Sequence, residues 1–324
     1  MRLNLAFVIM MILLLVQGGS ESPTAADTAG SVSNGLIVYM GLDANGQPQI
    51  FTIMPDGSHR RRLTRTAGGN FYPAWSHDGK KIAFASGRTG TLELWVMDAD
   101  GSHQTQLTFP PESENFVPSW SPDGTQITFA SLRTGHPEIW VMNADGSNHR
   151  RLTTTATPGA SNAPSWSPDG SKIAFASDRS GRAQVYVMNP DGSDVHQLTR
   201  PAGSNFPDSN VPVWSPDGSK IAFWSGIEAR YGQVWVMDAD GNNRRVLSDC
   251  PPPTNCDNPA WSPDGTLILF ETNRSGPVET WIMNADGSNQ RRLFPFPYGA
   301  GRLPWQPVPE AEIAHWAIRY KEEL

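Results

Sequence analysis

Short apolar runs recur along most of the chain, and each is followed by a tight polar turn. Some runs are almost continuously apolar, such as KIAFAS at residues 81–86, whereas others alternate, such as ELWVMD at 93–98. Pro-Asp-Gly and Ala-Asp-Gly turns separate them, and runs of this length between such turns are typical of β-hairpins. The pattern therefore predicts an all-β chain.

The runs and turns form a repeat. Its signature, Pro-x-Trp-Ser-Pro-Asp-Gly, occurs at residues 73–79 (with His77 in place of the second Pro), 118–124, 164–170, 212–218 and 259–265, and a degenerate sixth copy, PWQP, at 304–307. The six signature tryptophans are Trp75, Trp120, Trp166, Trp214, Trp261 and Trp305, separated by 45, 46, 48, 47 and 44 residues. This period is the size of one four-stranded propeller blade. A large aromatic at one place in every blade indicates packing between adjacent blades.

The two ends of the repeat region are incomplete in complementary ways. Residues 36–64 carry the last three strands of a unit, and residues 303–307 carry only the first strand. Pairing of the C-terminal strand with the N-terminal blade would leave no open sheet edge between the first and last blades. We therefore predict a six-bladed β-propeller of four-stranded blades over residues 36–307, closed by the C-terminal strand.

The repeat PSWSPDG, IAFAS, IWVMNADGS and RLT resembles the propeller repeat of TolB and its relatives, a six-bladed family related in pattern to WD-repeat propellers. The resemblance covers residues 36–307. TolB proper carries an α/β domain ahead of its propeller, whereas only about fifteen linker residues precede the first blade here. The expectation is a TolB-like propeller without that domain, to which the partners of TolB do not automatically apply.

The N-terminus has the layout of a secretory signal peptide. One Arg is followed by an apolar run from Leu3 to Val16 and then by small residues. We assign residues 1–20 to the signal peptide, 21–35 to a disordered linker, and 308–324 to a C-terminal tail that forms a short helix. The chain is then exported, periplasmic or extracellular, with no membrane span after signal cleavage.

The two cysteines, Cys250 and Cys256, lie close together in CPPPTNC. In an oxidising compartment such a pair in a loop favours a disulfide over a metal or redox site.

Composition narrows the function classes. The formal net charge of -7 argues mildly against a nucleic-acid partner, although about a third of the acidic residues belong to Asp-Gly turns. No nucleophile elbow, zinc-binding helix motif or phosphate loop occurs in the sequence. His59, His103, His149 and His196 are predicted in the outermost strands, too far apart to share a metal ion. We assign no catalytic residue, no metal site and no cofactor.

Strand order assigns the loops to two faces. The SPDG and ADGS turns share one, here called the repeat face. The other, here called the variable face, carries the turns between the second and third strands and the blade-to-blade loops, which differ in length and content. Variable loops on a rigid scaffold are where binding is usually found. The expected ligand-binding residues on this face are Phe71, Tyr72, Phe116 and Phe206, with the recurrent Arg88, Arg133, Arg179 and Arg274.

These residues also have structural interpretations. The four arginines could form an anion-binding crown or could bond turn carbonyls, and the second interpretation is favoured because they recur with the repeat. Asn70, Asn115, Asn162, Asn210 and Asn258 precede the Pro-x-Trp strands and are interpreted as turn formers. The predicted function is a monomeric, non-catalytic binding scaffold for a protein or peptide ligand. The alternative is a carbohydrate- or peptide-processing enzyme with its site at the channel mouth of the same face.

Overall fold

The computed structural model describes residues 32–109, 114–156, 159–200, 208–227, 230–276, 278–293 and 304–309. Every regular element in these ranges is a β-strand, and the strands form six four-stranded antiparallel sheets, as predicted. The predicted signal peptide, most of the linker and nearly all of the C-terminal tail lie outside the described residues.

Each sheet is one blade, and each runs from an inner strand at the channel to a short outer strand of two residues. Blade 1 comprises β24 (Trp305–Pro309), β1 (Val32–Leu42), β2 (Pro48–Ile53) and β3 (Arg61–Arg62). Blade 2 comprises β4 (Asn70–Trp75), β5 (Lys81–Ser86), β6 (Glu93–Asp98) and β7 (Thr105–Gln106). Blade 3 comprises β8 (Asn115–Trp120), β9 (Gln126–Ser131), β10 (Glu138–Asn143) and β11 (Arg150–Arg151).

The other three blades repeat this plan. Blade 4 comprises β12 (Ser161–Trp166), β13 (Ile173–Ser177), β14 (Gln184–Met188) and β15 (His196–Gln197). Blade 5 comprises β16 (Asp208–Trp214), β17 (Lys220–Ile227), β18 (Arg230–Asp238) and β19 (Arg245–Val246). Blade 6 comprises β20 (Cys256–Trp261), β21 (Leu267–Thr272), β22 (Glu279–Asn284) and β23 (Arg291–Arg292). The histidine prediction was partly wrong, because His196 lies in an outer strand but His59, His103 and His149 precede theirs.

The core lies between the blades. The second strand of each blade carries one fully buried ring, and its cross-strand partner on the third strand is also aromatic. These pairs are Tyr39–Phe51, Phe84–Trp95, Phe129–Trp140, Phe175–Tyr186, Phe223–Trp235 and Phe270–Trp281. The inner-strand Trp75 packs on Val38 and Ile50 of the preceding blade. The signature tryptophan is therefore an interface residue, as its recurrence predicts.

Two kinds of turn occupy the repeat face. In the first, Ser76 Oγ donates to Asp78 Oδ1 at 2.6 Å, and Gly79 adopts a φ of 68°, a conformation in which glycine is favoured. In the second, the amide of Ser102 donates to Asp100 Oδ1 at 2.9 Å. The Ala99 amide bonds the Lys80 carbonyl at 2.9 Å and joins the two turns. These carboxylates serve their own turns, which explains the acidic composition.

Ring closure joins the two ends of the described chain. Trp305 pairs with Ile37, and Val32 pairs with Pro309, so β1 begins four residues before the boundary predicted at residue 36. The side chain of Gln306 reaches the next blade, where its Nε2 donates to the Gly79 carbonyl oxygen at 2.7 Å. The predicted closure by the C-terminal strand is confirmed.

Closure predicts a sharp dependence of stability on β24. A chain that ends at residue 303 should melt far below the full chain or aggregate, because it exposes the edge of β1 and loses the buried Trp305, and removing a large core side chain alone costs about 3–5 kcal/mol. A chain that ends at Pro309 is the control and should melt near the full-length temperature. Thermal unfolding followed by circular dichroism compares them. Equal melting of the two truncations would contradict closure by β24.

Candidate functional site

A β-bulge recurs at the variable-face end of the inner strands. In blades 2 to 6 the pairing register shifts at the first Pro of the signature, and the residue preceding that Pro has a positive φ. These residues are Tyr72 (52°), Val117 (51°), Ala163 (52°), Val211 (50°) and Asn258 (47°). A left-handed valine is strained, and such strain persists only where the surroundings impose it. The surrounding structure therefore imposes the bulge. It lies at the channel mouth, defined here as the ring formed by the N-terminal residues of the inner strands on the variable face.

One side of the channel mouth is aromatic. Tyr72 lies between Phe71 and Phe116, with ring centroids 6.2 Å from each, and all three rings are half-buried. Burial and the nearby Glu114 raise the pKa of Tyr72 to about 12, so its hydroxyl stays protonated. In the adjoining loop Phe109, which sequence reasoning missed, is 62% exposed. Phe206, the fourth predicted aromatic, lies outside the described residues.

The opposite side of the channel mouth is polar. The strand position occupied by Phe71 and Phe116 in blades 2 and 3 is occupied by Asn162, Asn210 and Asp257 in blades 4, 5 and 6. The repeat thus presents apolar and polar groups to one opening from equivalent positions. A ligand bound across the mouth would meet two different chemistries.

Blade 6 carries a buried acidic group that sequence reasoning missed. Asp257 on β20 pairs across the sheet with Glu271 on β21, which pairs with Thr280 on β22. Cross-strand partners point to the same face of a sheet, so the three side chains form a row, here called the blade-six row. Glu271 is 1% exposed. The aligned repeats contain a signal that could have revealed this group, because Glu271 stands where blades 2, 3 and 4 carry alanine, namely Ala85, Ala130 and Ala176.

Electrostatics in this row favour protonation. Burial raises the pKa of Asp257 to about 7, although a hydrogen bond from Asn255 Nδ2 at 2.6 Å acts in the opposite direction and lowers it. Burial and the neighbouring Asp257 carboxyl raise the pKa of Glu271 well above its usual value. The side-chain Nδ2 of Asn258 donates to Glu271 Oε2 at 2.7 Å. Two carboxyls that share one site hold a proton between them more readily than two separate ones.

The four recurrent arginines contact their own blades. The guanidinium of Arg88 lies over the Trp95 ring at 4.2 Å from its centroid. Its Nε donates to Ser86 Oγ at 2.8 Å and its Nη2 to Asn70 Oδ1 at 3.0 Å. Arg133, Arg179 and Arg274 lie in the same way over Trp140, Tyr186 and Trp281. The contacts are structural, but they are made to side chains and a ring rather than to turn carbonyls.

The asparagines at the start of the inner strands join neighbouring blades. Asn70 Nδ2 donates to Gln49 Oε1 of the preceding blade at 3.0 Å, and Asn115 Nδ2 donates to Glu93 Oε2 at 2.9 Å. Both are buried within strands, so their interpretation as turn formers was wrong. Asn162, Asn210 and Asn258 also lie within strands, one or two positions nearer the signature tryptophan.

Cys250 and Cys256 form a disulfide with a Cα–Cα distance of 6.0 Å. Cys256 occupies the position of Asn70 and Asn115 at the start of its inner strand. The Cys250 amide donates to Gln233 Oε1 of blade 5 at 3.0 Å, so this bond and the disulfide connect blade 5 to blade 6. Arg274 Nη2 lies 3.0 and 3.2 Å from the two sulfurs. A covalent link thus stands at the strand position where the side-chain amides of Asn70 and Asn115 join blade 1 to blade 2 and blade 2 to blade 3.

A cavity of about 400 Å³ lies in the channel toward the repeat face. Its wall consists mainly of the prolines and tryptophans of the signature, and His77 replaces a proline there. The ring of His77 is exposed to the cavity, yet loss of solvation among the surrounding groups lowers the pKa of its imidazole. The cavity is apolar with one titratable side chain.

The described residues contain neither a cluster of metal-ligating side chains nor a membrane-spanning helix. No three side chains of His, Cys, Asp or Glu lie close enough together to hold one metal ion. Within the same ranges no helix has the length and apolarity that a membrane crossing requires.

Comparison with known families decides the relationship. The family model described as the TolB beta propeller domain matches residues 111–308, more than half of the chain. The chain belongs to this TolB propeller family. A TolB homolog from Chlorobium luteolum is 35% identical over 74 residues, 23% of this chain and 16% of that protein.

Two further relatives extend the comparison. The crystal structure of TolB from Acinetobacter baumannii has a TM-score of 0.70 at 26% identity, covering 84% of this chain and 66% of that chain. Dipeptidyl-peptidase 5 from Porphyromonas gingivalis is 44% identical over 46 residues, 14% of this chain and 7% of that enzyme. The TolB propeller chain therefore matches only a small part of the length of its curated relatives.

The arginine contacts predict an effect on stability. Arg88→Ala should lower the free energy of unfolding by about 1–3 kcal/mol, because it removes a cation–π contact and charge-assisted hydrogen bonds inside blade 2. The exposed Arg65 on the same face provides the control variant, Arg65→Ala, which should change stability little. Urea unfolding measures both. Equal stability of the two variants would show that the Arg88 contacts contribute nothing to the fold.

The blade-six row predicts a pH dependence. A carboxyl whose pKa is higher in the folded chain than in the unfolded chain adds stability at low pH, and this stability is lost as the pH rises through the folded value. For Asp257 the window runs from about pH 4, its unfolded value, to about 7. In metal-free buffer the wild type should lose stability from pH 5 to pH 8 relative to Glu271→Ala. Urea unfolding at both pH values tests this, and parallel behaviour of the two chains would refute it.

Proposed function

We propose that this TolB propeller is an exported, monomeric binding scaffold that holds a protein or peptide ligand on its variable face. The two-sided channel mouth carries the proposal. Phe71, Tyr72 and Phe116 offer half-buried rings, and Asn162 and Asp257 occupy in blades 4 and 6 the strand position of Phe71 and Phe116. Aromatic side chains dominate the energetics of protein interfaces, and amides and carboxyls supply the hydrogen bonds of a peptide backbone.

The surrounding loops support the same face. Phe109 is 62% exposed next to blade 3, and Tyr231 is 47% exposed in the hairpin of blade 5, which is longer than its counterparts in the other blades. Phe206 is predicted from the sequence to lie on the same face and stays a predicted contact. The repeat face carries near copies of two turns whose carboxylates are engaged locally, so it offers little distinct chemistry.

The recurrent arginines have a secondary part in this proposal. Arg88, Arg133 and Arg274 are half-buried over their rings, while Arg179 is exposed on the same face. Their charges add a positive contribution at the variable face, although their guanidinium groups are already hydrogen-bonded within the blades. We expect Arg179 to be the most available of the four to a ligand.

Export is part of the proposal. The signal-like segment at residues 1–20 and the disulfide between Cys250 and Cys256 both suit an oxidising compartment. The expected location is the periplasm or the medium.

The test begins with affinity capture from the native envelope or medium and continues with variants. Tyr72→Ala and Phe116→Ala should each weaken binding of the captured partner by more than about 1 kcal/mol. Ser147→Lys, in an ADGS turn of the repeat face, is the control and should bind like the wild type. Thermal melting of each variant shows that the fold is retained. Sensitivity of the repeat face with insensitive aromatic loops would mean that the wrong face has been assigned.

The second candidate is an enzyme that processes a peptide or carbohydrate. The carboxyls of Asp257 and Glu271 favour it, because acid–base catalysts often have raised pKa values. Glu271 is 1% exposed, however, and a catalytic acid must come within hydrogen-bond reach of its substrate. Asp257 is the more accessible group. Turnover of peptide or oligosaccharide libraries that Asp257→Asn abolishes would establish the enzyme and displace the scaffold.

A further inference from the structure

The blade-six row places polar side chains at two positions that are apolar in the other blades. At the position of Thr280 the other blades carry Ile50, Leu94, Ile139, Val185 and Val234, and at that of Glu271 they carry Met40, Ala85, Ala130, Ala176 and Trp224. Only blade 6 has polar groups at both positions. They lie on the same face as Leu269 and Ile282, which pack against blade 1. Such a departure inside an apolar interface costs stability unless something binds the polar atoms.

The oxygens of this row are incompletely satisfied. Within the described residues Glu271 Oε1 and Thr280 Oγ1 are both buried and have no hydrogen-bond partner. The two are direct cross-strand neighbours, yet no hydrogen bond joins them. Thr280 is 0% exposed, so bulk solvent does not reach its hydroxyl. These two buried oxygens on neighbouring strands therefore keep bonding capacity that a small bound species could satisfy.

The charge of the row indicates what that species is. Asp257 and Glu271 stand together without an ion pair to any lysine or arginine among the described residues. Buried carboxylates are normally paired with a cation or coordinate a metal. The side chains of the row offer carboxylate and hydroxyl oxygens and no imidazole, and such oxygen ligands suit hard divalent cations. A bulky organic cation could not reach Glu271, because its side chain is 1% exposed.

We propose that the blade-six row is a divalent-cation site, in which Asp257, Glu271 and Thr280 supply oxygen ligands to Ca²⁺, Mn²⁺ or Mg²⁺. Asp257 is the accessible end of the row and provides the route from the channel mouth. The Asn258 amide, which donates to Glu271 Oε2, holds that carboxyl in place and leaves Oε1 for the ion. The ion would join strands β20, β21 and β22 where blade 6 meets blade 1, the junction that ring closure completes.

The experiment uses the full chain after chelator treatment. Ca²⁺, Mn²⁺ and Mg²⁺ are titrated separately by isothermal calorimetry, and thermal melting is recorded with and without each ion. At least one ion should bind at one per chain and raise the melting temperature by about 5 °C at a hundred times its Kd, with reversal by chelator. Absence of binding by all three ions would overturn the proposal.

Two variants copied from other blades locate the ion. Glu271→Ala introduces the alanine that blades 2, 3 and 4 carry at this position and should abolish the binding. Asp257→Asn introduces the asparagine that blades 4 and 5 carry and should weaken the binding at least tenfold. Because both side chains already occur in this fold, the variants should fold, which circular dichroism checks. Glu114→Gln, an exposed carboxyl on the same face, should leave binding unchanged. Unchanged affinity in Glu271→Ala would place the ion elsewhere and refute the site.

Discussion

Packing of each blade on its two neighbours is the interaction on which this structure depends. A four-stranded blade has two apolar faces and only its neighbours to cover them, so the buried rings, from Tyr39 and Phe84 to Phe270, are enclosed only when the ring is complete. Closure by β24 satisfies this requirement by covering the edge of β1 and burying Trp305. The ends of the repeat region, which look incomplete along the chain, form one whole blade in space.

A second, polar set of contacts accompanies the apolar packing on the variable face. Two residues before the aromatic of the third strand, every blade carries Gln or Glu. In blades 1 and 2 this side chain accepts one hydrogen bond from a threonine hydroxyl just after its own outer strand and one from an asparagine side-chain amide of the next blade. One of the four recurrent arginines lies over the third-strand aromatic ring in each of blades 2, 3, 4 and 6. The disulfide takes the place of the amide between blades 5 and 6. These contacts hold the inner-strand ends in place and so give the channel mouth a rigid frame.

In the proposed function, ligand binding on this frame depends on departures from the repeat. Phe71 and Phe116 share a strand position with Asn162, Asn210 and Asp257, so a single backbone geometry presents aromatic groups on one side and polar groups on the other. Glu271 and Thr280 depart further, because they put polar atoms into an interface that is apolar in the other blades. Positions that every blade shares maintain the fold, and positions where one blade differs are the candidates for binding.

Much of this architecture could be predicted from the sequence, because a propeller repeat is local. Strand length, turn chemistry and the spacing of the tryptophans are each encoded within about 46 residues, so the blade number, the strand order and closure followed from periodicity. The contacts of Arg88 and the role of Asn70 could not be read in the same way. They depend on Trp95 in another strand and on Gln49 in another blade, and the asparagines of blades 4 to 6 stand one or two strand positions nearer the signature tryptophan.

The sequence by itself determined that this chain is a closed ring of six blades with one uniform and one variable face, because those properties follow from the period and from the order of strands and turns. Only the tertiary structure decided which side chains meet at the channel mouth. Asp257, Glu271 and Thr280 lie on three different strands, and their shared burial and missing partners arise from the pairing register and from the covering blade. Neither register nor burial between blades is a property of a local stretch of sequence, since both are set where distant segments pack.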